Sequence, residues 1–289
     1  MKVQPLTPII GAEVSGLDLC RLTDRQFDGL NDAFTEHSVL FFRDQNAMAP
    51  ADQVAFAKRF GPLHTHPAAP TLAEQEEIFV IHAHKDSKIA NGNGWHTDVS
   101  CDEEPPLATM LQLHLLPKTG GDTLFSSMYA AYETLSEPMK AFLLTLKAHH
   151  ESEHIYRGRY ADRGALEEDK DYPSALHPMI RTHPVSKRRA LYVNPSFTTR
   201  IEGLSRQESD ALLSMLYQHQ QRPEFQVRFN WSPNAVALWD NRCTHHFAMW
   251  DYWPEERKGH RVTIKGERPY LEATKEEATS ENLRLSKNL

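Results

Sequence analysis

Hydrophobic residues recur at helical spacing near the start of the chain. Phe27, Leu30 and Phe34 fall on one face of a helix. Thr23 belongs to a residue type that caps helix starts, and the apolar face stops before Ser38. We therefore predict a helix between these two residues, with one face turned toward the core.

Two further helices are predicted from their start signals. One follows Pro50 and runs toward the Phe-Gly-Pro sequence at 60–62. The other begins at a capping box, in which the side chains of Ser205 and Glu208 bond each other's backbone amides. Its predicted apolar stripe consists of Leu212, Leu213, Met215 and Leu216.

Short segments spread along the chain have the apolar or alternating pattern of β-strands. Residues 39–42 and 107–116 are nearly continuous apolar runs, and 225–231 alternates between apolar and polar positions. Residues 235–239 and 261–265 are further predicted strands. Because the helices cluster instead of alternating with the strands, we predict an antiparallel β-core, a sandwich or barrel, with helices packed outside.

Two polar segments lie outside this pattern. Residues 151–176 are charged and weakly periodic, as expected of either an active-site lid or a surface insertion. Residues 272–289 form a polar C-terminal tail. The predicted organisation is a single domain over residues 1–271, followed by this tail.

Composition narrows the range of functions. The 289 residues carry a net charge of −7 with a pI near 6.1, which argues against a nucleic-acid or anionic-membrane partner. No apolar run approaches the roughly 18 residues that span a bilayer, and the N-terminus lacks the layout of a signal peptide. The three cysteines are widely spaced, so we expect a reducing, cytoplasmic compartment. The sixteen histidines direct attention to metal sites.

His96 and Asp98 form the first candidate metal site. Because they are two residues apart in an extended segment, they point to the same side and can reach one metal ion. The alternative is a pair of loop side chains that bond only each other. The metal interpretation therefore needs a third ligand elsewhere in the chain.

His245 and His246 follow an apolar strand and offer that third ligand. Because neighbours on a strand face opposite sides, only one of them can point at the metal. Two histidines and one carboxylate leave three coordination positions open, which is the pattern of non-haem Fe(II) oxygenases. Zinc is the competing metal, although its sites more often close at four ligands.

Several other histidines and Cys243 are weaker candidates for a functional role. His82 and His84 have strand spacing and are a weaker candidate metal pair. Cys243 is interpreted as a small packed residue. The histidines predicted to be solvated, near a helix end and a polar loop, are His149, His150 and His154.

Several motifs, taken in order, resemble the taurine dioxygenase and 2,4-dichlorophenoxyacetate dioxygenase family of Fe(II)/2-oxoglutarate-dependent enzymes. The resemblance runs from about Pro8 to Pro269, nearly the whole chain. It implies a double-stranded β-helix, or jelly roll, with flanking helices, which agrees with the mainly β pattern above. The matching segments are residues 38–45, 60–62, 95–98, 120–124, 193–194, 197–201 and 239–242.

The resemblance implies a set of residues around the metal. It places the iron ligands on His96, Asp98 and His246, the last of which ends the Trp-Asp-Asn-Arg-x-x-x-His motif. The cosubstrate 2-oxoglutarate would chelate the iron, while Arg257 and Thr123 bind its far carboxylate. The planar fork of an arginine suits that role.

A second set of residues would bind the substrate. Arg261 lies in a predicted strand, where an unpaired charge is costly, and the resemblance makes it the anchor of an anionic substrate. The alternative is a structural ion pair with one of the many carboxylates. From spacing alone, Lys258 or Arg261 would also serve as the 2-oxoglutarate partner. The other pocket residues implied are His66, Phe197, Asn93 and Val99.

The chain departs from the taurine enzyme in this pocket. Ala69 replaces a tyrosine that bonds the sulfonate, Gly92 stands where an asparagine is expected, and Cys101 where a phenylalanine is expected. Losing two polar contacts of roughly 1 kcal/mol each weakens taurine binding about tenfold or more. Family members acting on alkyl sulfates also carry a His-Pro-Ala-Ala string, so a longer or less polar acid is favoured over taurine.

The activity implied by the resemblance is that of an Fe(II)/2-oxoglutarate-dependent dioxygenase. It would hydroxylate the carbon next to the heteroatom of a small sulfonate, alkyl sulfate or similar acid, using O₂ and converting 2-oxoglutarate to succinate and CO₂, with ascorbate supporting the reaction in vitro. The alternatives are oxygenation of an aryloxy or other carboxylic acid, and a metal-dependent hydrolase or lyase on the same β-core, which would leave Arg257 and Thr123 idle. The resemblance also implies a homo-oligomer, either a dimer or a tetramer.

Overall fold

The computed structural model describes residues 1–66, 71–72, 75–158 and 171–273, and the elements below lie within these ranges. The strands are β1 (Lys2–Pro5), β2 (Ala12–Ser15), β3 (Val39–Phe42), β4 (Leu63–His64), β5 (Thr71–Leu72), β6 (Gln75–Ala83), β7 (Ala108–Leu115), β8 (Thr123–Ser127), β9 (Lys147–Glu151), β10 (Ser174–Pro178), β11 (Ile180–Thr182), β12 (Arg189–Leu191), β13 (Thr198–Ile201), β14 (Gln226–Phe229), β15 (Val236–Asp240), β16 (Thr244–Ala248) and β17 (Arg257–Ile264). The helices are α1 (Asp24–His37), α2 (Pro50–Lys58), α3 (Met128–Glu133), α4 (Glu137–Leu143), α5 (Glu153–Tyr156) and α6 (Arg206–His219), and a 3-10 turn covers Pro223–Phe225.

Two sheets packed face to face form the jelly-roll core. In the described part of the chain, the large sheet has the order β1-β2-β3-β15-β7-β17-β6-β5, with β4 paired to β17, and the small sheet has the order β14-β8-β16. Aromatic side chains join them: Phe41 on β3 stacks on Phe229 of β14, with ring centroids 4.1 Å apart. Phe41 also meets Phe125 of β8 edge to face. The predicted mainly β jelly roll with flanking helices is confirmed.

The central strands of the large sheet, β3, β15 and β7, are buried on both faces, which explains their continuous apolar runs. Val39 and Phe41 point toward the small sheet, whereas Leu40 and Phe42 join the cluster that includes Leu30 of α1. Helices α1 and α2 supply that outer cover. The sequence of a strand covered on both sides is a continuous apolar segment, because neither face is exposed to solvent.

A third layer lies behind the small sheet. Helices α3 and α6 pack there with the three-stranded sheet β10-β9-β13 and the pair β11-β12. This layer matters for function because its buried polar side chains contact the segment that follows Asp98. It therefore supports one side of the candidate site.

The predicted capping residues at the starts of α1 and α6 are confirmed. Thr23 and Gln26 form a capping box on α1, and Ser205 and Glu208 form the predicted one on α6. The predicted apolar face of α6 is wrong at Met215. This residue is exposed, whereas Leu213 and Leu216 are buried. At helical spacing, these two leucines already fill the side that faces the core.

Two strand predictions need adjustment. The alternating segment at 225–231 is a strand only over β14, because a 3-10 turn precedes it. Its four apolar residues are nonetheless buried as predicted. The strand predicted at 261–265 starts at Arg257, because β17 pairs with both β6 and β7 over its polar first half. Arg257 and Arg261 therefore lie on one strand.

The two polar segments are only partly described. In segment 151–176, α5 and the first residues of β10 are described, whereas 159–170 lie outside the described residues. Residues 274–289 of the predicted tail also lie outside them. Glu272, the first tail residue, bonds the Thr182 hydroxyl of β11 through its backbone amide. The longest described helices have 14 residues, and none in the described ranges is long and apolar enough to cross a bilayer.

Candidate active site

The candidate metal ligands come from two parts of the fold that meet at one end of the core. His96 and Asp98 lie in the connection between β6 and β7, and His246 lies on β16 of the small sheet. His96 and His246 form an isolated antiparallel bridge, with N···O distances of 3.1 and 2.8 Å. The backbone therefore fixes the separation of the two imidazoles.

The donor atoms of these three residues converge. Asp98 Oδ1 lies 3.7 Å from Nε2 of His96 and 3.7 Å from Nε2 of His246. One ligand atom from each residue lies within 4.8 Å of the other two. Asp98 and His246 are buried, and His96 is half-buried. The structure thus brings together the three residues predicted to hold the metal.

The protonation states suit metal binding. His96 Nδ1 lies 2.8 Å from the Gly94 carbonyl oxygen, to which it can donate, leaving the Nε2 lone pair toward Asp98. Burial, followed by the charges of His96 and Arg261, holds the pKa of His246 well below its usual range. Burial alone would raise the pKa of Asp98, but the charges of Arg261, His246 and His96 outweigh it and lower that pKa. Neutral imidazoles and an ionised carboxylate are the forms that bind a divalent ion.

His245 lies on the other face of β16 and is not part of this cluster. It is buried, and neither ring nitrogen has a protein hydrogen-bond partner among the described residues. Burial, with a smaller effect of the His96 charge, lowers the pKa of His245 to about 3. Strand alternation thus separates the two neighbouring histidines as expected.

A small cavity leads from the histidines to Arg257. It encloses about 410 Å³, and its lining includes His96, His246, Thr123 and Arg257. The buried Arg257 guanidinium contacts the Gly121 carbonyl oxygen through Nε at 3.2 Å and the Thr123 hydroxyl through Nη2 at 3.4 Å. No salt bridge to Arg257 occurs among the described residues, and burial lowers the pKa of its guanidinium. A buried charge without a carboxylate partner suits an anionic ligand.

The Thr123 hydroxyl can donate to the same ligand. Its oxygen accepts from Trp231 Nε1 at 3.0 Å and from Arg257 Nη2 at 3.4 Å. Both contacts use lone pairs, so the hydroxyl hydrogen is available for an acceptor. A carboxylate in this cavity would meet one fixed charge and one fixed donor.

A second cavity of about 540 Å³ contains every residue predicted to bind substrate. It shares His96 and Arg261 with the first cavity, so the two meet at the candidate metal position. Its wall combines polar side chains with an apolar part formed by Phe79, Val99 and Ile155, as in many small-molecule sites. The predicted residues among its lining are His66, Arg261, Phe197, Asn93 and Val99.

Arg261 forms a structural ion pair and also borders the predicted substrate cavity. Its Nη2 lies 3.0 Å from Asp98 Oδ1, which is the structural ion pair considered above. Its guanidinium also borders both cavities and lies 5.5 Å from the centroid of the Phe79 ring. It can therefore meet an anionic group without leaving its place beside Asp98.

The departures from the taurine enzyme have local reasons. Gly92 has a φ of +78°, a backbone conformation that side chains rarely adopt, and a Cβ there would touch Cε1 of His96 at 3.4 Å. Asn93 lines the substrate cavity in its place. Cys101 is fully buried behind Val99 and does not line the cavity. Ala69 lies outside the described residues.

Sequence reasoning missed Tyr156 as a pocket residue. It comes from α5 in segment 151–176, and its hydroxyl lies 3.4 Å from His66 Nε2. Its ring meets Phe197 edge to face. Tyr156 and Ile155 both line the substrate cavity, so the described start of this polar segment is a wall of the pocket. The sequence signal for it is weak, because Tyr156 is one of three tyrosines in this charged segment.

The prediction that His150 is solvated is wrong. His150 is fully buried on β9, and its Nδ1 lies 2.9 Å from the Ser100 hydroxyl oxygen. His177 of β10 lies 3.0 Å, through Nε2, from the Ser100 carbonyl oxygen. These two histidines hold the segment after Asp98, which is why they are inside. His149 and His154 contact Glu202 and the Ser196 carbonyl oxygen, respectively.

A second buried group with metal-binding side chains has no place for an ion. His183, Asp240 and Cys243 lie within 4.8 Å of one another. His183 Nδ1 accepts from two backbone amides, so its Nε2 hydrogen donates to Asp240 at 3.0 Å. Arg242 also binds both oxygens of Asp240, and burial raises the pKa of the Cys243 thiol to about 12. These contacts already satisfy the group as a structural ion network.

Comparisons with known proteins agree with this geometry. The model of the taurine catabolism dioxygenase TauD, TfdA family matches residues 2–263. The chain is 35% identical to an alpha-ketoglutarate-dependent sulfate ester dioxygenase of Pseudomonas putida, over 93% of this chain and 91% of that protein. It is 34% identical to an alpha-ketoglutarate-dependent sulfonate dioxygenase of Saccharomyces cerevisiae, over 93% of this chain and 68% of the yeast protein. A crystal structure of a taurine dioxygenase from Burkholderia xenovorans has the same fold, with a TM-score of 0.79 at 35% identity, covering 93% of this chain and 92% of that one.

Proposed function

Because the chain belongs to the taurine catabolism dioxygenase TauD, TfdA family and is a 2-oxoglutarate-dependent dioxygenase, we propose that it oxidises the carbon next to the heteroatom of a small sulfonate or alkyl sulfate. One observation carries this proposal. The donors of His96, Asp98 and His246 converge where two cavities meet, and each cavity contains a buried arginine. One arginine suits the cosubstrate and the other the substrate.

The proposed metal ligands are His96, Asp98 and His246, and the metal is Fe(II). Their neutral and ionised forms fit a divalent ion, and two histidines with one carboxylate leave positions for a chelating cosubstrate and for O₂. When bound, the iron supplies the oxidising chemistry, in which 2-oxoglutarate loses CO₂ and becomes succinate. Family membership therefore favours oxygenation over the hydrolase or lyase alternative.

Each cavity orients one reactant. In the smaller cavity, the Arg257 fork and the Thr123 hydroxyl hold the far carboxylate of 2-oxoglutarate. In the larger cavity, Arg261 and His66 hold the anionic head of the substrate. Phe197 excludes water and limits where the carbon chain can lie, so one C–H bond is held near the metal.

The product follows from where the hydroxyl is placed. A carbon that carries both the new hydroxyl and a sulfonate breaks its C–S bond, giving an aldehyde and sulfite. With a sulfate ester the C–O bond breaks instead and the products are an aldehyde and sulfate. A long substrate fits the apolar wall formed by Phe79, Val99 and Ile155 better than taurine does.

The test is succinate release from 2-oxoglutarate with Fe(II) and ascorbate. Taurine, a longer alkyl sulfonate, an alkyl sulfate and an aryloxy acid are compared, each with a His246→Ala control. We expect the longer sulfonate or the sulfate to stimulate release most strongly, with sulfite or sulfate formed in equal amount. Stimulation by the aryloxy acid alone would replace the sulfur substrates with the aromatic alternative. No release by iron-loaded protein with any of them would contradict the proposal.

Three further statements belong to this proposal. The three free cysteines, Cys20, Cys101 and Cys243, support a reducing, cytoplasmic compartment. The jelly roll and its outer layers support a single dioxygenase domain over residues 1–271. Family resemblance supports a homo-oligomer, a dimer or tetramer, which light scattering of the purified protein would test.

A further inference from the structure

The two oxygens of Asp98 have different partners. Oδ1 faces Nε2 of His96 and of His246, and lies 3.0 Å from Arg261 Nη2. Oδ2 instead accepts a hydrogen bond of 2.7 Å from the Thr109 hydroxyl on β7. Only one carboxylate oxygen therefore faces the candidate metal position.

Thr109 ends a chain of hydrogen bonds that runs in one direction. The indole Nε1 of Trp239 donates to Asn241 Oδ1 at 3.0 Å, which fixes the orientation of that amide. Asn241 Nδ2 then donates to Thr109 Oγ1 at 2.9 Å, so the threonine hydrogen must point to Asp98. All four side chains are buried, and Asp98 Oδ2 accepts the hydrogen bond at the end of the chain.

We propose that Thr109, oriented by Asn241 and Trp239, is a positioning residue that keeps the second oxygen of Asp98 away from the metal. This inference rests on the proposed metal ligands. A carboxylate bound through one oxygen leaves three coordination positions, two for 2-oxoglutarate and one for O₂. If the carboxylate turned and bound through both oxygens, it would occupy one of those positions. Partners that orient a ligand also raise metal affinity, typically 10- to 100-fold.

The test compares three variants of the full chain. Thr109→Val keeps the shape of the side chain and removes the hydroxyl, whereas Thr109→Ser restores the hydroxyl. Thr182→Val is the matched control, because Thr182 is also a buried strand threonine, and its hydroxyl oxygen accepts a hydrogen bond from the Glu272 amide. Thr109→Ala serves as a second variant if Thr109→Val does not fold.

Two measurements distinguish a role of Thr109 in positioning Asp98 from a role in packing alone. Mn(II) affinity is measured by calorimetry on metal-free protein, and the infrared carboxylate stretches report binding through one or two oxygens. We expect Thr109→Val to weaken Mn(II) binding about 10- to 100-fold. We also expect a smaller gap between the asymmetric and symmetric carboxylate stretching frequencies, as for a carboxylate that binds through both oxygens. Thr109→Ser and Thr182→Val should both remain close to the wild type.

The outcomes distinguish this inference from the proposed function. If Thr109→Val binds Mn(II) as tightly as wild type with unchanged stretches, or if Thr109→Ser behaves like the valine variant, the positioning role is overturned while the ligand set stands. If wild-type protein binds no Mn(II), or if His246→Ala binds it equally well, the proposed ligands are overturned together with this inference.

Discussion

At the scale of single residues, the two arginines of β17 have different surroundings. Arg261 lies beside Asp98, so part of its charge is neutralised within the protein. The buried Arg257 contacts only neutral oxygens, those of Gly121 and Thr123, in its described hydrogen bonds. Burying a charge in this way costs stability unless an anion accompanies it. Arg257 is thus the residue whose role depends most on the cosubstrate.

Replacing Arg257 with lysine should raise the KM for 2-oxoglutarate about 10- to 100-fold, because a lysine loses the two-pronged contact with a carboxylate. The apparent KM for the substrate should change far less. Steady-state succinate assays with each reactant varied in turn measure both effects. Lys258→Met, at an exposed position on the same strand, is the control and should leave both constants unchanged.

Gly92 provides a second prediction at this scale. Gly92→Ala should lower both stability and metal affinity, because the backbone has a φ of +78° and the new Cβ would meet Cε1 of His96 at 3.4 Å. Gly203 is a matched control, because it has the same φ of +78° and a Cβ added there would have no atom within 4 Å.

Thermal unfolding and Mn(II) calorimetry on both variants separate the two causes. Gly203→Ala should lose about 1 kcal/mol of stability from backbone strain and keep its metal affinity. Gly92→Ala should show the same strain and, in addition, weaker metal binding. Equal metal affinity in the two variants would mean that the contact with His96 has no effect.

At the scale of elements, the antiparallel strands β9 and β10 place two neutral histidines, His150 and His177, behind the segment that follows Asp98. Burial, with the charges of Arg181 and Arg268 adding to it, lowers the pKa of His177 to about 4. Burial also holds the pKa of His150 well below its usual range. Both rings therefore stay neutral in the folded protein under conditions in which the unfolded chain protonates them.

This arrangement predicts a loss of stability in mild acid. Since the unfolded pKa is near 6.5, the unfolded state binds more protons as the pH falls from 6.5 to about 4, and the free energy of unfolding decreases across that window. His177 alone should contribute on the order of 3 kcal/mol. Urea unfolding of metal-free protein at several pH values measures the slope.

His177→Gln is the informative variant for this prediction. A glutamine amide can replace the bonds that Nε2 makes to the Ser100 and Asp102 carbonyl oxygens, but it does not titrate. Its pH slope should therefore be shallower than that of the wild type. An unchanged slope would assign the acid sensitivity to other groups.

The elements were predictable where their signals are local. Capping residues and apolar faces located α1 and α6, and the apolar runs located β3 and β7. The inward position of His150 was not predictable, because its partner Ser100 is fifty residues away in the sequence. Contacts of that range depend on sheet order, which strand patterns do not encode.

In the candidate site, too, residues whose roles depend on distant contacts could not be predicted from local sequence patterns. Resemblance to a family supplied the eventual ligand set, whereas spacing alone left His245 and His246 equivalent. Tyr156 and Thr109 were missed because each acts through a partner outside its own element, His66 and Asp98 respectively. Nothing in a single sequence marks a strand threonine as the residue that orients a carboxylate.

At the scale of the whole molecule, the metal position joins the two sheets. His246 belongs to the small sheet, and the connection that carries His96 and Asp98 joins two strands of the large one. A ligand bound by all three side chains would link both halves of the core. Binding to the folded state alone stabilises it in proportion to the logarithm of the ligand concentration.

Adding Mn(II) at about 100 times its Kd should therefore raise the unfolding free energy by roughly 2.7 kcal/mol and Tm by roughly 5 °C. A chelator should reverse the shift. His246→Ala should lose the shift, whereas His245→Asn should keep it, since His245 lies outside the ligand cluster. Scanning calorimetry with and without Mn(II) gives all three results, and the reverse pattern for the two histidines would exchange their roles.

The wall shared by the two cavities limits how this enzyme can evolve. A mutation at His96 or Arg261 affects substrate and cosubstrate together, because both residues border both cavities. Ile155, Tyr156 and Phe197 border only the substrate cavity, so natural drift or a mutagenesis library confined to them can alter the accepted acid while leaving the handling of 2-oxoglutarate intact. New specificities should accumulate on that side of the pocket.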